Sequence, residues 1–450
     1  MKKLYKNISY LYSMESNNAL ENSYLLIEDN VISEIGTGTC KVTDIDEIID
    51  CENYLIMPGF VNTHHHFYQT LFRNVKEVQS AKLFDWLVYL YEKWKYIDEE
   101  ATYISSVIAS YEMIKTGVTT STDHLYLYPN GNNKIFDSEI KGAQHTGLRF
   151  YPTRGSMSLS KKDGGLPPDS VVQTDEEIMV ESERVINEYH DRSKHSMLRI
   201  ALAPCSPFSV TGDLMKETAK FSEKHNILIH THLAETEDEE AFCKEMFGYR
   251  PVDYMEEVGW LNERAWFAHM VWLSENDRKK LIKADAGMAH CPSSNMRLGS
   301  GIAPVMELKD KLRIGIALDG SASNDGNNML GEIRNAMLLQ RVKNGADALT
   351  PFDVLKMGTL GGAQVLRIDD FVGTLKVGNS ADFIGFNLNK LEFAGGLSDP
   401  LGALVLCDPK QVDLSVINGV TRVEKGIILD NNLQEFVAKQ NKISKEILSR

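Results

Sequence analysis

Short apolar runs alternate with charged, helix-patterned stretches through the middle of the chain, between residues 57 and 365. Eight runs have the length and residue types of buried strands, at Leu55–Val61, Val118–Thr122, Leu148–Pro152, Arg199–Ala203, Ile227–His232, Ala265–Ala268, Ala286–Ala289 and Ile314–Leu318. Charged amphipathic segments between them predict helices, for example at Thr174–Arg192, Asp213–His225, Asp238–Phe247 and Glu275–Lys283. This alternation is typical of an α/β protein with a (β/α)8 TIM barrel, whose functional groups follow the carboxyl ends of the strands.

Both ends of the chain are instead rich in short β-like runs. They lie at Asn7–Tyr12, Ser23–Ile27 and Val31–Ile35, and again at Ala381–Phe386, Leu414–Gly419 and Thr421–Val423. We expect the two ends, residues 1–56 and 366–450, to pair into a small discontinuous β-sandwich domain beside a catalytic barrel of residues 57–365. The last stretch, Leu433–Arg450, predicts an exposed terminal helix.

Ionisable residues follow nearly every predicted barrel strand. Pro58 and Gly59 mark a bend into the first strand, and His64 and His66 are two residues apart, a spacing that places both on one face of a strand. The later strand ends carry Asp123 and His124, Arg154, Cys205, His230 and His232 followed by Glu235, His269, His290 and Asp319. Packing alone does not explain so many polar side chains at the end of a barrel where strands meet, so we expect one site there.

The chemistry of this set fits a mononuclear metal hydrolase. Imidazole nitrogens and one carboxylate can hold a divalent ion and leave a position open for water, and we expect this of His64, His66, His232 and Asp319. A bound metal lowers the pKa of that water to about 7.

Three residues are candidates for moving protons and stabilising charge. Glu235 lies three residues past His232, where it can pass protons between the water and a ring nitrogen of the substrate. His269 can stabilise the oxygen that develops on the attacked carbon, and Asp319 can take the proton of the water.

Other histidines near the site have simpler interpretations. His65 points to the opposite face from its neighbours and is expected to pack away from the metal, and His230 lies one pleat before His232 and is not expected to be a ligand. The sequence leaves His124 and His290 open between hydrogen-bonding partners of the ligands and direct substrate contacts.

Two further residues near the strand ends also have structural interpretations. Cys205 is open between a packed core thiol and a pocket residue. Asp325 is expected to cap a helix that starts near Asn327.

Composition excludes several classes of function. The net charge of −15 leaves no basic surface for a nucleic acid, so no such partner is expected. The six cysteines are scattered without a C-x-x-C pair, which favours a reducing compartment. We find neither a signal peptide nor an apolar run of the roughly 18 residues that a membrane span needs, and therefore expect a cytoplasmic protein with no membrane partner.

Four segments, PGFVNTHHH, HTHLAET, AHCPSSNMRLGSG and ALDGSASNDG, together resemble the amidohydrolase superfamily, in its branch of purine, triazine and adenosine-type deaminases. The resemblance covers essentially the whole chain, and segments such as TRGSMSLS, LAPCSPFSV and FGYRPVDYMEEVGWL resemble the 8-oxoguanine deaminases most. Adenosine-type relatives carry histidine in a GPHSP-like segment where this chain has Cys205 in APCSP, which argues against nucleoside substrates. The fourth strand end carries no lysine, which argues against a binuclear site with a carboxylated lysine.

The resemblance implies one divalent metal, usually zinc, with Fe2+ or Mn2+ as alternatives. It implies ligands at the positions that match His64, His66, His232 and Asp319, with Glu235 as proton shuttle and His269 as a substrate or oxyanion contact. Gln69 and Trp86 resemble positions that touch the substrate ring. The candidate substrate contacts are therefore Gln69, Trp86, Arg154 and Cys205.

The function that these observations predict is zinc-dependent hydrolytic deamination of a purine-like heterocycle, foremost 8-oxoguanine to urate and ammonia. Deaminases of isoxanthopterin or other pterins, of guanine or of isoguanine are alternatives, as is a hydroxytriazine aminohydrolase of the hydroxyatrazine type. The missing lysine disfavours a ring-opening cyclic amidase, and the complete ligand set disfavours a non-catalytic binding protein. The expected partner is a small heterocyclic substrate, and we expect a homo-oligomer.

Overall fold

The computed structural model describes residues 1–450, which form seventeen strands. Five lie before the barrel: β1 (Lys2–Tyr12), β2 (Ala19–Glu28), β3 (Val31–Thr37), β4 (Glu47–Asp50) and β5 (Tyr54–Pro58). Eight form the barrel: β6 (Phe60–Asn62), β7 (Val118–Leu125), β8 (Arg149–Ser156), β9 (Ala201–Pro204), β10 (Ile229–Leu233), β11 (Ala265–His269), β12 (Gly287–His290) and β13 (Arg313–Ile316). Four follow it: β14 (Phe383–Asn387), β15 (Leu414–Ile417), β16 (Val420–Glu424) and β17 (Ile427–Ile428).

Fifteen α-helices connect and cover these strands. They are α1 (Leu83–Trp94), α2 (Glu99–Lys115), α3 (Lys134–Thr146), α4 (Asp175–Tyr189), α5 (Gly212–His225), α6 (Glu237–Phe247), α7 (Pro251–Glu257), α8 (Glu275–Lys283), α9 (Pro292–Arg297), α10 (Val305–Leu308), α11 (Met329–Asn344), α12 (Pro351–Lys356), α13 (Gly362–Val365), α14 (Pro400–Leu406) and α15 (Leu433–Leu448). The four helices predicted from charge patterning correspond to α4, α5, α6 and α8. No helix has the length and apolar character required to cross a membrane.

The barrel strands pair in parallel from β6 to β13 in chain order, which confirms the predicted TIM-like architecture. Residues just past the first and eighth strands connect the two ends of the sheet. Leu318 N donates to Asn62 Oδ1 at 2.9 Å, and Asp319 N donates to the carbonyl oxygen of His64 at 3.1 Å. These bonds place His64 directly beside Asp319, although the two are 255 positions apart in sequence.

The two chain ends form one hydrogen-bonded sheet in the order β17-β16-β15-β14-β5-β1-β2-β3, with β4 also paired to β1. β14 joins the halves by pairing antiparallel with β5, where Phe383 lies opposite Pro58. Side chains from both ends share one apolar core, in which the rings of Tyr5 and Phe383 pack edge to face at 4.9 Å. This sheet confirms the predicted association of the two ends.

The prediction of one strand over Leu55–Val61 is wrong, because Gly59 divides the segment between the two sheets. Pro58 ends β5 in the small sheet, whereas Phe60 N donates to the carbonyl of Gly117 and starts the barrel. A Cβ at Gly59 would lie 2.1 Å from Thr119 Oγ1, so the chain can pass between the sheets only where it has no side chain.

The terminal helix is exposed along most of its surface, as predicted, but one side of it packs against the barrel. Helix α15 has an apolar stripe that buries Phe436 and Ile447. Its Gln440 Nε2 donates to Thr70 Oγ1 at 2.9 Å and its Ser444 Oγ donates to the carbonyl of Leu71 at 2.6 Å. The helix therefore supports the short 3-10 helix Phe67–Phe72, which follows the histidine triplet.

A buried ion pair connects the start of β8 to the small sheet. Arg149 Nε donates to Asp382 Oδ2 at 2.8 Å, and both side chains are almost fully buried. Asp382 Oδ1 also accepts a hydrogen bond from Asn418 N at 2.6 Å, so one carboxylate holds residues from both predicted domains. The division into residues 57–365 and 1–56 with 366–450 stays a prediction.

We expect Asp382→Asn to lower the free energy of unfolding by about 3–5 kcal/mol, because it leaves the buried Arg149 guanidinium without a counter-charge. Urea denaturation followed by circular dichroism measures this change. Asp169→Asn is the control, since Asp169 pairs with Lys162 on the exposed surface, and its cost is expected to stay below about 1 kcal/mol. Equal costs for the two variants would contradict the structural role of the buried pair.

Candidate metal centre

The histidines of the first strand end do not lie in the strand itself. β6 ends at Asn62, so His64 and His66 follow it by two and four residues, and the predicted alternation of a pleated strand is not what positions them. His66 instead ends an extended turn that leads into the helical segment Phe67–Phe72. The two imidazoles still come together, with ring centroids 4.7 Å apart.

Three other strand exits turn sharply into the same space. Ala234, His269 and Asp319 all have left-handed backbones, with φ of 52°, 74° and 58°. Residues other than glycine adopt this conformation at a cost, and such residues concentrate at functional sites. The turns at β10, β11 and β13 therefore direct Glu235, His269 and Asp319 into the site that their positions after the strands predicted, although no sequence pattern indicated the left-handed turns themselves.

Backbone carbonyls determine which nitrogen of two imidazoles carries the proton. His66 Nδ1 donates to the carbonyl of His124 at 2.8 Å, and His232 Nδ1 donates to the carbonyl of Cys205 at 2.6 Å. In a neutral ring the other nitrogen, Nε2, then has only a lone pair. The two Nε2 atoms lie 3.2 Å apart, so two lone pairs face each other.

A hydrogen bond to His230 likewise leaves His64 with its proton on Nδ1 and only a lone pair on Nε2. His230 Nδ1 donates to the carbonyl of Trp266 at 2.8 Å, so its Nε2 accepts the proton of His64 Nδ1, also at 2.8 Å. His64 Nε2 is left as a lone pair that is buried without a hydrogen-bond partner. His230 therefore orients His64 and does not itself face the cluster.

A carboxylate completes the cluster. Asp319 Oδ1 lies 3.3 Å from Nε2 of both His64 and His66. Burial lowers the pKa of His64 well below its usual range and that of His232 to about 3, which keeps these rings neutral. Three lone pairs and a carboxylate oxygen with no proton between them fit a divalent cation that prefers nitrogen and oxygen ligands.

His124 lies at the edge of this cluster. Its Nε2 donates to the carbonyl of Ala203 at 2.9 Å, and its Nδ1 is buried without a partner. One nitrogen of His124 lies within 4.8 Å of nitrogens of His64, His66 and His232. The structure thus adds His124 to the groups that could contact a bound ion or its water.

Glu235 and His269 face each other beside the carboxylate. His269 Nε2 lies 3.5 Å from Glu235 Oε2 and 3.9 Å from Asp319 Oδ2, while its Nδ1 donates to Asn295 Oδ1 at 2.9 Å. Burial lowers the pKa of His269, but the charges of Glu235 and Asp319 outweigh it and the net shift is upward. Burial raises the pKa of Glu235, as suits a group that both accepts and releases a proton.

A small pocket lies over these groups. Its lining comprises His66, Gln69, Leu83, Trp86, Leu87, Tyr126, Cys205, Phe208, His232, Glu235, His269, Leu298, Asp319 and Ser323. The structure thus brings the predicted contacts Gln69, Trp86 and Cys205 to the site. The indole Nε1 of Trp86 donates to the carbonyl of Ala322 at 3.2 Å, so Trp86 offers the pocket its ring and not its N–H.

Arg154 is the predicted substrate contact that the structure places elsewhere. Its guanidinium donates to the carbonyl of Gly155 at 2.6 Å and to Gln173 Oε1 at 2.6 Å, and it stacks over the ring of Tyr128 at 4.1 Å. The side chain is buried and does not line the pocket. A strand-end position predicted proximity to the site but not the direction of a long side chain.

Asp325 differs from its predicted role, and the structure also locates His290, which the sequence left open, and His65. Asp325 does not cap a helix: α11 begins at Met329 with Asn328 as its cap, and Asp325 pairs with Arg297 at 2.7 Å. His290 is buried with neither ring nitrogen bonded and does not line the pocket. His65 Nε2 donates to Asn327 Oδ1 at 2.8 Å, away from the cluster as expected.

Sequence reasoning missed several pocket residues. Tyr126 lies one residue past β7, and Ser323 donates to Asp319 Oδ2 at 3.2 Å. The apolar walls come from Leu83, Leu87, Phe208 and Leu298. Position after a strand end could have suggested Tyr126, whereas an apolar wall residue carries no sequence signal that separates it from the core.

Comparisons with known proteins agree with this geometry. A family model described as the amidohydrolase family matches residues 55–428. The 8-oxoguanine deaminase of Pseudomonas aeruginosa is 42% identical over 94% of this chain and 95% of its own, and the hydroxydechloroatrazine ethylaminohydrolase of a Pseudomonas species is 34% identical over 83% and 79%. The structure of a zinc-complexed atrazine chlorohydrolase from Arthrobacter aurescens superposes with a TM-score of 0.91 at 26% identity, covering 98% of this chain and 100% of that one.

We expect His64→Ala to reduce the bound divalent metal from about one ion per chain to well below half of that, because one of the converging lone pairs is lost. Elemental analysis after dialysis measures the metal content. Zinc added to metal-free protein is expected to raise the thermal unfolding midpoint of the wild type but not of His64→Ala. His225→Ala, in α5 outside the site, is the control, and equal metal content in both variants would contradict the assignment.

Proposed function

This chain belongs to the amidohydrolase family, as its sequence predicted, and we propose that it uses one zinc ion to remove an exocyclic amino group from a purine-like heterocycle by hydrolysis. Membership confirms the predicted enzyme class, a hydrolase of carbon–nitrogen bonds other than peptide bonds. The observation that carries the proposal is the convergence of three imidazole lone pairs and a carboxylate beside Glu235 and His269. Those are the groups that an addition of water to an amine-bearing carbon requires.

The ligands in this proposal are His64, His66, His232 and Asp319. A divalent metal held there lowers the pKa of a coordinated water to about 7 and so supplies a nucleophile at neutral pH. Zinc suits three neutral imidazoles and one carboxylate, and Fe2+ or Mn2+ remain alternatives for the same donor set. His230 and the carbonyls of His124 and Cys205 keep the ring protons of these ligands away from the ion.

Asp319 and Glu235 divide the proton transfers between them. Asp319 accepts the proton of the attacking water, and its hydrogen bonds from Gly320 N and Ser323 Oγ keep its oxygens in place. Glu235 delivers a proton to the ring nitrogen next to the attacked carbon, and burial, which raises the pKa of its carboxyl group, favours the protonated form that this delivery requires. Asp319 then passes its proton to the amino group, which leaves as ammonia, while the hydroxyl proton on the attacked carbon returns to Glu235. The carbon thus gains one oxygen from water, and the product carries a carbonyl where the substrate carried an amine.

His269 is proposed to stabilise the oxygen that develops on the attacked carbon. Its Nδ1 is anchored by Asn295, which leaves Nε2 directed to the space between Glu235 and Asp319. Its raised pKa favours a protonated ring that can donate a hydrogen bond there.

The pocket walls favour a small, flat ring. The rings of Trp86 and Phe208 with Leu298 form apolar surfaces, and a heterocycle can lie against them. The side chain of Gln69 makes only long hydrogen bonds, since its Oε1 accepts from Ala322 N at 3.3 Å and its Nε2 donates to Tyr68 Oη at 3.4 Å, so the amide can exchange them for contacts with a ring edge. Burial raises the pKa of the Cys205 thiol to about 12, so this position offers an uncharged side chain.

Within this class, 8-oxoguanine is the proposed substrate and urate the proposed product. The 42% identical relative from Pseudomonas aeruginosa, matched over almost its whole length, supports this choice. A hydroxytriazine aminohydrolase is the second candidate, because the 34% identical relative acts on hydroxydechloroatrazine. Cytoplasmic location and assembly into a homo-oligomer stay predictions.

The substrate proposal is tested by ammonia release from metal-loaded protein with 8-oxoguanine, guanine, isoguanine, isoxanthopterin and hydroxytriazines. We expect 8-oxoguanine to have the highest kcat/KM and to form urate. Turnover of another ring with 8-oxoguanine inert would overturn the substrate and keep the reaction class, whereas no ammonia from any ring would overturn the reaction class.

Glu235→Gln is expected to lower kcat by about 10²–10⁴-fold, because the amide cannot carry the proton to the ring nitrogen. Metal content is expected to stay unchanged, since Glu235 is not among the proposed ligands. Glu237→Gln, two residues further along and exposed, is the matched control and should keep wild-type kcat. A Glu235→Gln variant that turned over at the wild-type rate would refute the shuttle role.

A further inference from the structure

A second buried glutamate holds the turn that carries Glu235. Glu239, in the first turn of α6, is only 1% exposed. Its Oε1 accepts a hydrogen bond from Ala234 N and its Oε2 one from Glu235 N, both at 2.8 Å. Both oxygens of one carboxylate are thus used on two consecutive backbone N–H groups, one of which belongs to Glu235 itself.

This arrangement differs from how the chain caps its other helices. In the capping boxes of α4, α8 and α12 the third helical residue bonds back to the N-cap residue, in the pairs Thr174 with Glu177, Ser274 with Asp277 and Thr350 with Asp353. At α6 the N-cap residue is Thr236, which makes no side-chain cap, and its Oγ1 is buried without a partner. Glu239 bypasses Thr236 and binds the two residues before it.

The turn so held is strained and is tied to the next strand exit. Ala234 has φ of 52°, and its carbonyl accepts hydrogen bonds from Val271 N and Trp272 N, both at 2.9 Å. Those residues directly follow His269 and Met270, which are left-handed as well. The Ala234 peptide units are therefore fixed from both sides, and Glu235 Oε2 is kept 3.5 Å from His269 Nε2.

We propose that Glu239 is a positioning residue whose carboxylate holds Glu235 in the geometry for proton transfer. This rests on the proposed function of Glu235 as the proton shuttle. Two N–H donors need two acceptor oxygens, and a carboxylate supplies both, whereas the amide of glutamine supplies one oxygen and turns an NH2 group toward the other donor.

Hydrogen–deuterium exchange tests the anchoring without any turnover. In Glu239→Gln we expect the amides of Ala234 and Glu235 to exchange at least about tenfold faster than in the wild type, because the closed turn opens more often. Glu177→Gln is the matched control, since it breaks an exposed capping box on another barrel helix and should leave these two amides unchanged. Unchanged exchange in Glu239→Gln would overturn the proposal.

Kinetics then separate positioning from general support of the fold. We expect Glu239→Gln to lower kcat by about 10–100-fold with KM and metal content nearly unchanged. The double variant Glu235→Gln/Glu239→Gln should be no slower than Glu235→Gln alone, because Glu239 acts only through Glu235. Losses that multiply in the double variant, or a lower unfolding midpoint with unchanged kcat, would overturn the proposal in favour of a plain helix cap.

Glu239→Asp covers the case in which Glu239→Gln does not fold. Aspartate keeps both carboxylate oxygens, but its side chain is shorter by one methylene. We therefore expect amide exchange rates and kcat between those of the wild type and Glu239→Gln. Wild-type values for both would overturn the proposal. Should wild-type protein release no ammonia from any ring, the proposed function fails, and the exchange comparison still decides whether Glu239 holds the turn.

Discussion

Three ring nitrogens and a carboxylate oxygen meet in a buried pocket with no proton between them, and much of the surrounding structure maintains that condition. Carbonyls of His124 and Cys205 bind the protons of His66 and His232, and His230 binds that of His64. Burial keeps His64 and His232 neutral by lowering the pKa of each ring. Without a cation such an arrangement of lone pairs is repulsive, which is why the site is best understood as built for a metal.

The backbone that carries these groups is held by bonds between distant parts of the barrel. The seam between the first and eighth strand exits places Asp319 beside His64. Buried carboxylates also accept hydrogen bonds from backbone N–H groups of the loops around the site. Glu239 binds the turn at Glu235. Glu332 accepts from Ser293 N at 3.1 Å, and Asp123 accepts from Phe67 N at 2.5 Å. The left-handed turn at Ala234 persists because Glu239 binds its N–H while Val271 N and Trp272 N bind its carbonyl.

The sequence predicted the barrel, the association of the chain ends and the residues that converge in the metal centre. It succeeded because histidines and acids at strand ends have a marked pattern, and because parallel barrel strands bring their carboxyl ends together. It failed where one residue changes the path or direction of the chain. Gly59 moves the chain from one sheet to the other, and Arg154 turns away to Gln173 and Tyr128 although it ends a strand.

The sequence by itself thus determined the family and the barrel architecture and predicted which residues could bind a metal, since these depend on residue type and spacing. Only the tertiary structure decided which ring nitrogens are free, because the tautomer of each histidine depends on a carbonyl or ring from another strand. It also revealed the pocket walls, the contact of α15 with the barrel and the bidentate contact of Glu239, all of which join residues through packing that no local pattern encodes. Residue types limit which reactions are possible, and long-range contacts decide which atoms lie where a reaction needs them.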